Sequence, residues 1–234
     1  MQEELEAFYR FQYRKMSYSG SGALASAWFH RILERGLDDN SSYDACLEVG
    51  CGSGEHLAYI GHAFRTYLQT DLIDYGLGAD TNDQAARSDG IRFEVTDAQE
   101  LPYADGSFNR IVSTCLLHHL ERPDRALQEW RRVAAPEAVI SILLPSDPGL
   151  MYRVSRRLSQ TMRSGTMRNE LGISPSEYKY IHSIDHRNHA SSLANMIHHV
   201  FERDQVKVRH YPLNVRSWNL SLASVFQIRR APSA

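Results

Sequence analysis

The stretch Cys46-Leu47-Glu48-Val49-Gly50-Cys51-Gly52-Ser53-Gly54-Glu55-His56 constrains the fold more than any other part of this chain. An apolar run ends in a carboxylate and a turn with glycine at every second position; a helix-like pattern follows. Glycine adopts positive φ readily and lets backbone approach a ligand without Cβ obstruction. The start of the helix predicted next would present unpaired N–H groups to an anionic ligand group.

From Ala45 onward, short apolar runs alternate with helical stretches, the pattern of a parallel sheet covered on both faces. Strands are predicted near 45–49, 66–71, 91–95, 109–115 and 138–144, with helices near 54–63, 81–87 and 123–134. Two later strand-like runs, 205–211 and 220–229, have no long helix between them and read as an antiparallel hairpin. Ahead of the sheet, residues 1–22 carry Phe8, Tyr9, Phe11, Tyr13 and Tyr18, then Ser19-Gly20-Ser21-Gly22. They read as an amphipathic helix and a flexible joint, followed by a second helix over 23–35 that ends at Gly36. The expected division is a helical cap over 1–36 and a main domain over 37–234, with a substrate-side insertion at 145–204.

With 234 residues and 42% hydrophobic composition, one α/β domain can bury a sizeable core. No apolar run approaches the ~18 residues of a membrane span. The acidic start Met1-Gln2-Glu3-Glu4 does not resemble a secretory signal. Cys46, Cys51 and Cys115, an odd number in strand-like surroundings, read as reduced thiols and point to a cytoplasmic protein. Net charge is −2 but unevenly spread: residues 1–150 sum to −10 and residues 151–234 to +8. The basic second part suits an anionic substrate or is solvated surface.

The spacing G-x-G-x-G, rather than the G-x-G-x-x-G of dinucleotide-binding folds, resembles the glycine-rich loop of class I S-adenosylmethionine (SAM) dependent methyltransferases. A SAM site needs a carboxylate for the ribose hydroxyls at the end of the strand next to the loop. Asp71 ends Tyr67-Leu68-Gln69-Thr70-Asp71, with Asp74 as fallback. In Thr96-Asp97-Ala98-Gln99 the resemblance places Asp97 to accept from the adenine amino group and Ala98 to donate from its backbone. Asp105-Gly106-Ser107-Phe108-Asn109 matches a family segment that usually ends in aspartate, so that charge is missing. Ser113-Thr114-Cys115-Leu116-Leu117-His118-His119-Leu120 matches the segment after the fourth strand, and Arg125–Val133 the helix beyond it. A departure lies at Ala135-Pro136-Glu137-Ala138, where the family has K-P-G-G. Over about residues 43–146 the resemblance implies an α/β, Rossmann-like, seven-stranded and mostly parallel sheet with an antiparallel last strand. It implies SAM as cofactor and S-adenosylhomocysteine (SAH) as product, held by Glu48, Gly50, Cys51, Gly52, Gly54, Asp71, Asp97, Ala98, Thr114 and Cys115.

Methyl transfer is an in-line displacement, so the protein mainly aligns the acceptor and shields the site. A hydroxyl acceptor also needs a base. Asp185-His186-Arg187-Asn188-His189 opens a helical pattern with 186, 189, 193, 197 and 200 on one face. A helix start there would favour neutral imidazole at His186 and His189. His118 and His119 border the same cleft as further base candidates. His182, His186 and His189 have metal-like spacing, but no carboxylate or thiolate clearly joins them, and no metal is expected. Arg153, Arg156, Arg157 and Arg163 form a stripe suited to phosphate or carboxylate, or a solvated face. The Asp/Asn-Pro-Pro-aromatic motif of amino-methylating nucleic-acid enzymes is absent, and nucleic acid is not the expected partner.

The reading is methyl transfer to a small molecule, most readily a hydroxyl. Residues 144–189 resemble methyltransferases of sugar or polysaccharide biosynthesis, which suggests a sugar or nucleotide-linked sugar. The alternatives are an RNA or protein methyltransferase, a non-catalytic SAM-binding subunit and, more distantly, a NAD-dependent dehydrogenase. Oligomeric state is left open.

Overall fold

The structure, a computed structural model, describes residues 20–37, 40–77, 90–170, 172 and 174–232. The helices expected within residues 1–19 and near 81–87 lie outside them. Among the described residues seven strands form one sheet. They are β1 Ser42–Val49, β2 Ala63–Asp71, β3 Ile91–Val95, β4 Phe108–Thr114, β5 Ala134–Pro145, β6 Gln205–Pro212 and β7 Ser221–Arg229. Their order is β3-β2-β1-β4-β5-β7-β6. Strands β1 to β5 pair in parallel, and β7 runs antiparallel between β5 and β6. The order reverses between β1 and β4, where an open α/β sheet leaves a crevice at its carboxyl edge.

Helices cover both faces. Helix α1 spans Gly20–Glu34, α2 Pro123–Val133, α3 Leu150–Glu170, α4 Pro175–Asp185 and α5 Ala190–Val200. In α2, Ala126, Leu127, Trp130 and Val133 recur at helical spacing and pack with Leu193 and Ile197 of α5 against Leu47, Ile111 and Ile140. On the opposite face Ile32 and Leu33 of α1 meet Val112, Leu143 and Val225. A buried ion pair ties α1 to the sheet: Arg110 Nη2 donates to Glu34 Oε1 at 2.8 Å, and His56 Nε2 reaches the same oxygen at 3.0 Å.

Three expectations are corrected. The helix read over 54–63 is a single 3₁₀ turn, Glu55–Tyr59. Strand β2 already begins at Ala63, whose N–H bonds to Ser41 O at 3.0 Å, so no length remains for a longer helix. The Gly20–Gly22 joint is instead the first turn of α1. The helix expected to open at Asp185 does not: α4 ends there, and α5 begins at Ala190. Between them the N–H groups of Arg187 and Asn188 both donate to His118 O, at 2.9 and 3.2 Å, which folds the chain over the loop after β4.

Candidate active site

The glycine loop leaves β1 at the switch point with positive φ at Gly50, Gly52 and Gly54. Its amides are largely committed within the protein. Gly50 and Cys51 donate to Thr70 O at 2.8 and 3.0 Å, Gly54 to Cys51 O at 3.0 Å, and Gly52 to Asp71 Oδ2 at 2.9 Å. The loop's own amides are thus not free for an anion, while the turn that follows, Glu55–Tyr59, has no side-chain cap at Gly54. Oriented carbonyls and acids dominate here, which suits the ammonium end of an amino-acid tail.

Glu48 is only 2% exposed and lies beneath the loop, accepting from Tyr67 Oη and Gln69 Nε2, both at 3.1 Å. Burial raises its pKa, and burial likewise raises that of Asp71 against the hydrogen bonds from Gly52 and Ile73. Beyond β3, Asp97 is exposed and accepts from the Gln99 amide at 2.9 Å. Ala98 is buried, its carbonyl accepting from the Trp130 indole at 3.2 Å. Thr114 ends β4, and Cys115 turns the chain with φ 56, a rare conformation for a side-chain-bearing residue. Burial pushes the Cys115 thiol up to about 12, far from thiolate chemistry.

Next to this turn four histidine rings gather. Ring centroids lie 3.8 Å apart for His118 and His119, 4.4 Å for His118 and His186, and 3.6 Å for His182 and His186. His186 Nδ1 lies 2.8 Å from Asp147 Oδ2, and His119 Nδ1 lies 3.0 Å from Asp185 Oδ1. Burial lowers the pKa of His186, with Asp147 opposing the shift. His118, 3% exposed, is pushed well below the ordinary range by burial and by its neighbouring imidazoles. The structure thus brings His118, His119 and His186 together but not His189, which is exposed at the N-cap of α5. The helical stripe that was to carry both His186 and His189 is broken by the 185–189 linker. His186 caps the C-terminal end of α4, where a helix dipole favours the charged ring, so burial rather than the dipole keeps it neutral.

Two residues that the sequence reading did not place in the site belong to this cluster, Asp147 and His182. The i, i+4 spacing of His182 and His186 was a usable signal; nothing local marked Asp147. Among the described residues two sets could also hold a metal ion, His118 with His119 and His186, and Asp147 with His182 and His186. Donor atoms within each lie within 4.8 Å of one another. A cavity of about 680 Å³ at the opposite edge of the sheet is lined by Asp105, Arg131, Arg132 and Arg230 among others. Its arginines are paired with Asp204, Asp105 and Glu129, and it is far from this chemistry.

Residues 47–142 match the protein family described as a methyltransferase domain. The 27-O-demethylrifamycin SV methyltransferase of Amycolatopsis mediterranei is 33% identical over 122 residues, covering 46% of this chain and 42% of that protein. Human mitochondrial arginine-hydroxylase NDUFAF5 is 25% identical over 137 residues, covering 58% of this chain and 39% of that protein. The chain therefore spans less than half the length of these curated relatives. In fold it is similar to the N-methyltransferase NodS from Bradyrhizobium japonicum WM9, solved with SAH. The TM-score is 0.59 at 14% identity, with 97% of each chain covered.

Residues 47–142 match a methyltransferase domain, within a Rossmann-like sheet of the kind found in SAM-dependent methyltransferases.

In this methyltransferase domain the three loop glycines do different work. A Cβ at Gly50 would strike Leu116 at 2.8 Å, and one at Gly54 would meet Gln69 at 2.9 Å, so a side chain at either would have to displace its neighbour. A Cβ at Gly52 would meet only Glu55 Oε2, at 3.8 Å. That carboxylate oxygen is buried without a hydrogen-bond partner. An open approach at Gly52 beside an unspent acid fits the ammonium group of SAM, and Glu55 joins the candidate residues for that reason.

Proposed function

We propose that this chain transfers a methyl group from SAM to a hydroxyl of a small molecule, with His186 as the proton acceptor. When bound, SAM supplies a methyl group activated by its sulfonium. Gly52, Glu55, Asp71, Asp97 and Ala98 would hold it, in the crevice between the loops after β1 and β4. The observation that carries the base assignment is the contact of His186 Nδ1 with Asp147 Oδ2 at 2.8 Å. An imidazole N–H donated to that carboxylate fixes the tautomer and leaves Nε2 with the lone pair. The same contact stabilises the imidazolium that forms when the hydroxyl gives up its proton. His118 and His119 pack beside it and narrow the access of water. The oxygen-methylating relative supports the choice of acceptor atom; the sugar or nucleotide-linked sugar class rests on sequence resemblance alone.

Calorimetric titration with SAM, SAH and NAD tests the cofactor, and transfer of labelled methyl to a panel of hydroxylated and amino compounds tests the reaction. Binding of SAM and SAH but not NAD, with label on oxygen, is the expected result; heat from NAD alone would overturn it. The hydroxylase relative favours a second reading, in which the same crevice serves no methyl transfer. SAH binding without label in any acceptor would support that reading. Chelator-treated protein is expected to keep full transfer activity; restoration only by an added divalent cation would replace the base with a metal.

A further inference from the structure

Helix α3 follows β5 and packs against α4, which carries His182. Arg156 lies in its second turn. The Nε and Nη1 atoms of Arg156 are buried and have no hydrogen-bond partner. Its charge is felt at Asp147 and at His182, so the guanidinium lies within electrostatic reach of both. Asp147 does not answer that charge with an ion pair; it is engaged with His186. A guanidinium keeps its charge at neutral pH, and buried N–H donors left without a hydrogen-bond partner are costly. One turn further along the same face of α3, Gln160 Nε2 is also buried without a partner. On the neighbouring helix, His182 Nε2 is a fourth such nitrogen, 4.0 Å from Asp147 Oδ2. The described residues thus leave donors unspent on two adjacent helices, next to the residue assigned as base. Arg153 and Arg157, exposed on the same helix, and the +8 balance of residues 151–234 add a positive field outside.

We propose that Arg156, with Gln160 and His182, forms a subsite for an anionic group, a carboxylate or a phosphate, carried by the methyl acceptor. The link to an acceptor rests on the methyl-transfer reading; the anion site does not. A planar guanidinium donates two parallel hydrogen bonds to such a group, and the amide and imidazole supply further donors. Because His182 and His186 stack at 3.6 Å, an anion held here sets the rest of the molecule beside the proton acceptor. Neutral alcohols should accordingly be poor acceptors.

The test is calorimetric titration of the SAH-loaded chain with inorganic phosphate and, separately, with sodium acetate, at constant ionic strength. Wild type is compared with Arg156→Gln, Arg156→Lys and Arg153→Gln. Wild type and Arg153→Gln should bind at least one anion saturably. Arg156→Gln should weaken that binding at least about tenfold, and Arg156→Lys by less. Stronger phosphate binding identifies a phosphorylated acceptor and stronger acetate binding an acid; either supports the subsite. Absence of saturable binding in wild type up to tens of millimolar overturns the proposal, as does equal affinity in Arg156→Gln and Arg153→Gln. SAH affinity, read in the same samples, reports folding of each variant, and if Arg156→Gln fails to fold then Arg156→Lys decides. Failure of wild type to bind SAH would sink the methyl-transfer reading and leave the anion result standing.

Discussion

Asp147 opposes the burial that keeps His186 neutral, and this balance makes a signed prediction. Burial holds the His186 pKa below the ordinary 6.5, so the acid limb of the kcat profile should lie below pH 6.5. Asp147→Asn removes a contribution that raises the pKa, so the limb should move to lower pH while kcat also falls. A limb that moves upward, or stays where it was, would remove Asp147 from the role of orienting acid. His186→Asn should lower kcat by about 10²–10⁴ with SAH affinity unchanged. A fall of less than about threefold would disqualify His186 as the base. At the glycine loop, Gly52→Ala and Gly50→Ala should separate binding from folding. Both strain a positive φ, by roughly 1–2 kcal/mol. Only Gly50→Ala also meets Leu116, so it should lower the melting temperature more, whereas Gly52→Ala should weaken SAH binding more than it destabilises the fold. Melting curves and SAH titrations of the two variants give that comparison directly.

At the scale of elements, the loop after β4 and the α4–α5 linker behave as one unit. Asn188 Nδ2 donates to Leu120 O at 2.7 Å and Leu117 O at 3.3 Å, while the His118 carbonyl takes two linker amides. Asn188→Ala deletes the side-chain bonds and should cost about 1–3 kcal/mol. Because His118 and His186 then lose a shared support, kcat should fall while SAH affinity holds. A variant with lower stability but unchanged kcat would show that the linker only closes the fold. This unit is also where sequence reading runs out. The strands and α2 were legible because their burial repeats within a short window, as in Ala126, Leu127, Trp130 and Val133. The glycine turn was legible because φ > 0 restricts residue choice. The break in the 185–189 pattern is imposed by the His118 carbonyl, about seventy positions away, and no local periodicity encodes it. Asp147 pairs with His186 across 39 positions and, before the fold is known, looks like an ordinary loop aspartate. Arg163, the last member of the basic stripe, has a side chain outside the described residues.

At the scale of the whole molecule, several imidazoles among the described residues are buried and resist protonation. Burial lowers His30 to about 3, with His56 adding to the effect; burial and His186 lower His182 to about 3; His118 and His186 are lowered too. Each is held neutral in the folded chain but protonates near 6.5 when unfolded. Their contribution to stability is therefore complete above pH 6.5 and is lost as pH falls below it, down to about 3 for His30 and His182. Glu34 acts in the same direction. Burial pushes its carboxyl up, but Arg110 and His56 outweigh that and hold it at about 2. Its contribution is present above 4.5 and disappears as pH falls through about 2. Glu48 and Asp71, raised by burial, oppose this trend, since a raised carboxyl favours the fold in acid. The lowered histidines and Glu34 against the two raised acids should decide the sign. The urea midpoint is expected to be nearly constant from pH 8 to 7 and to decline steadily between 6.5 and 4, with His118→Asn flattening that decline. A midpoint at pH 5 as high as that at pH 7.5, unchanged in profile by His118→Asn and by Glu48→Gln, would mean the buried imidazoles are charged in the folded protein. The base assignment to His186 would then fall with them, because a protonated ring has no lone pair to offer a hydroxyl proton.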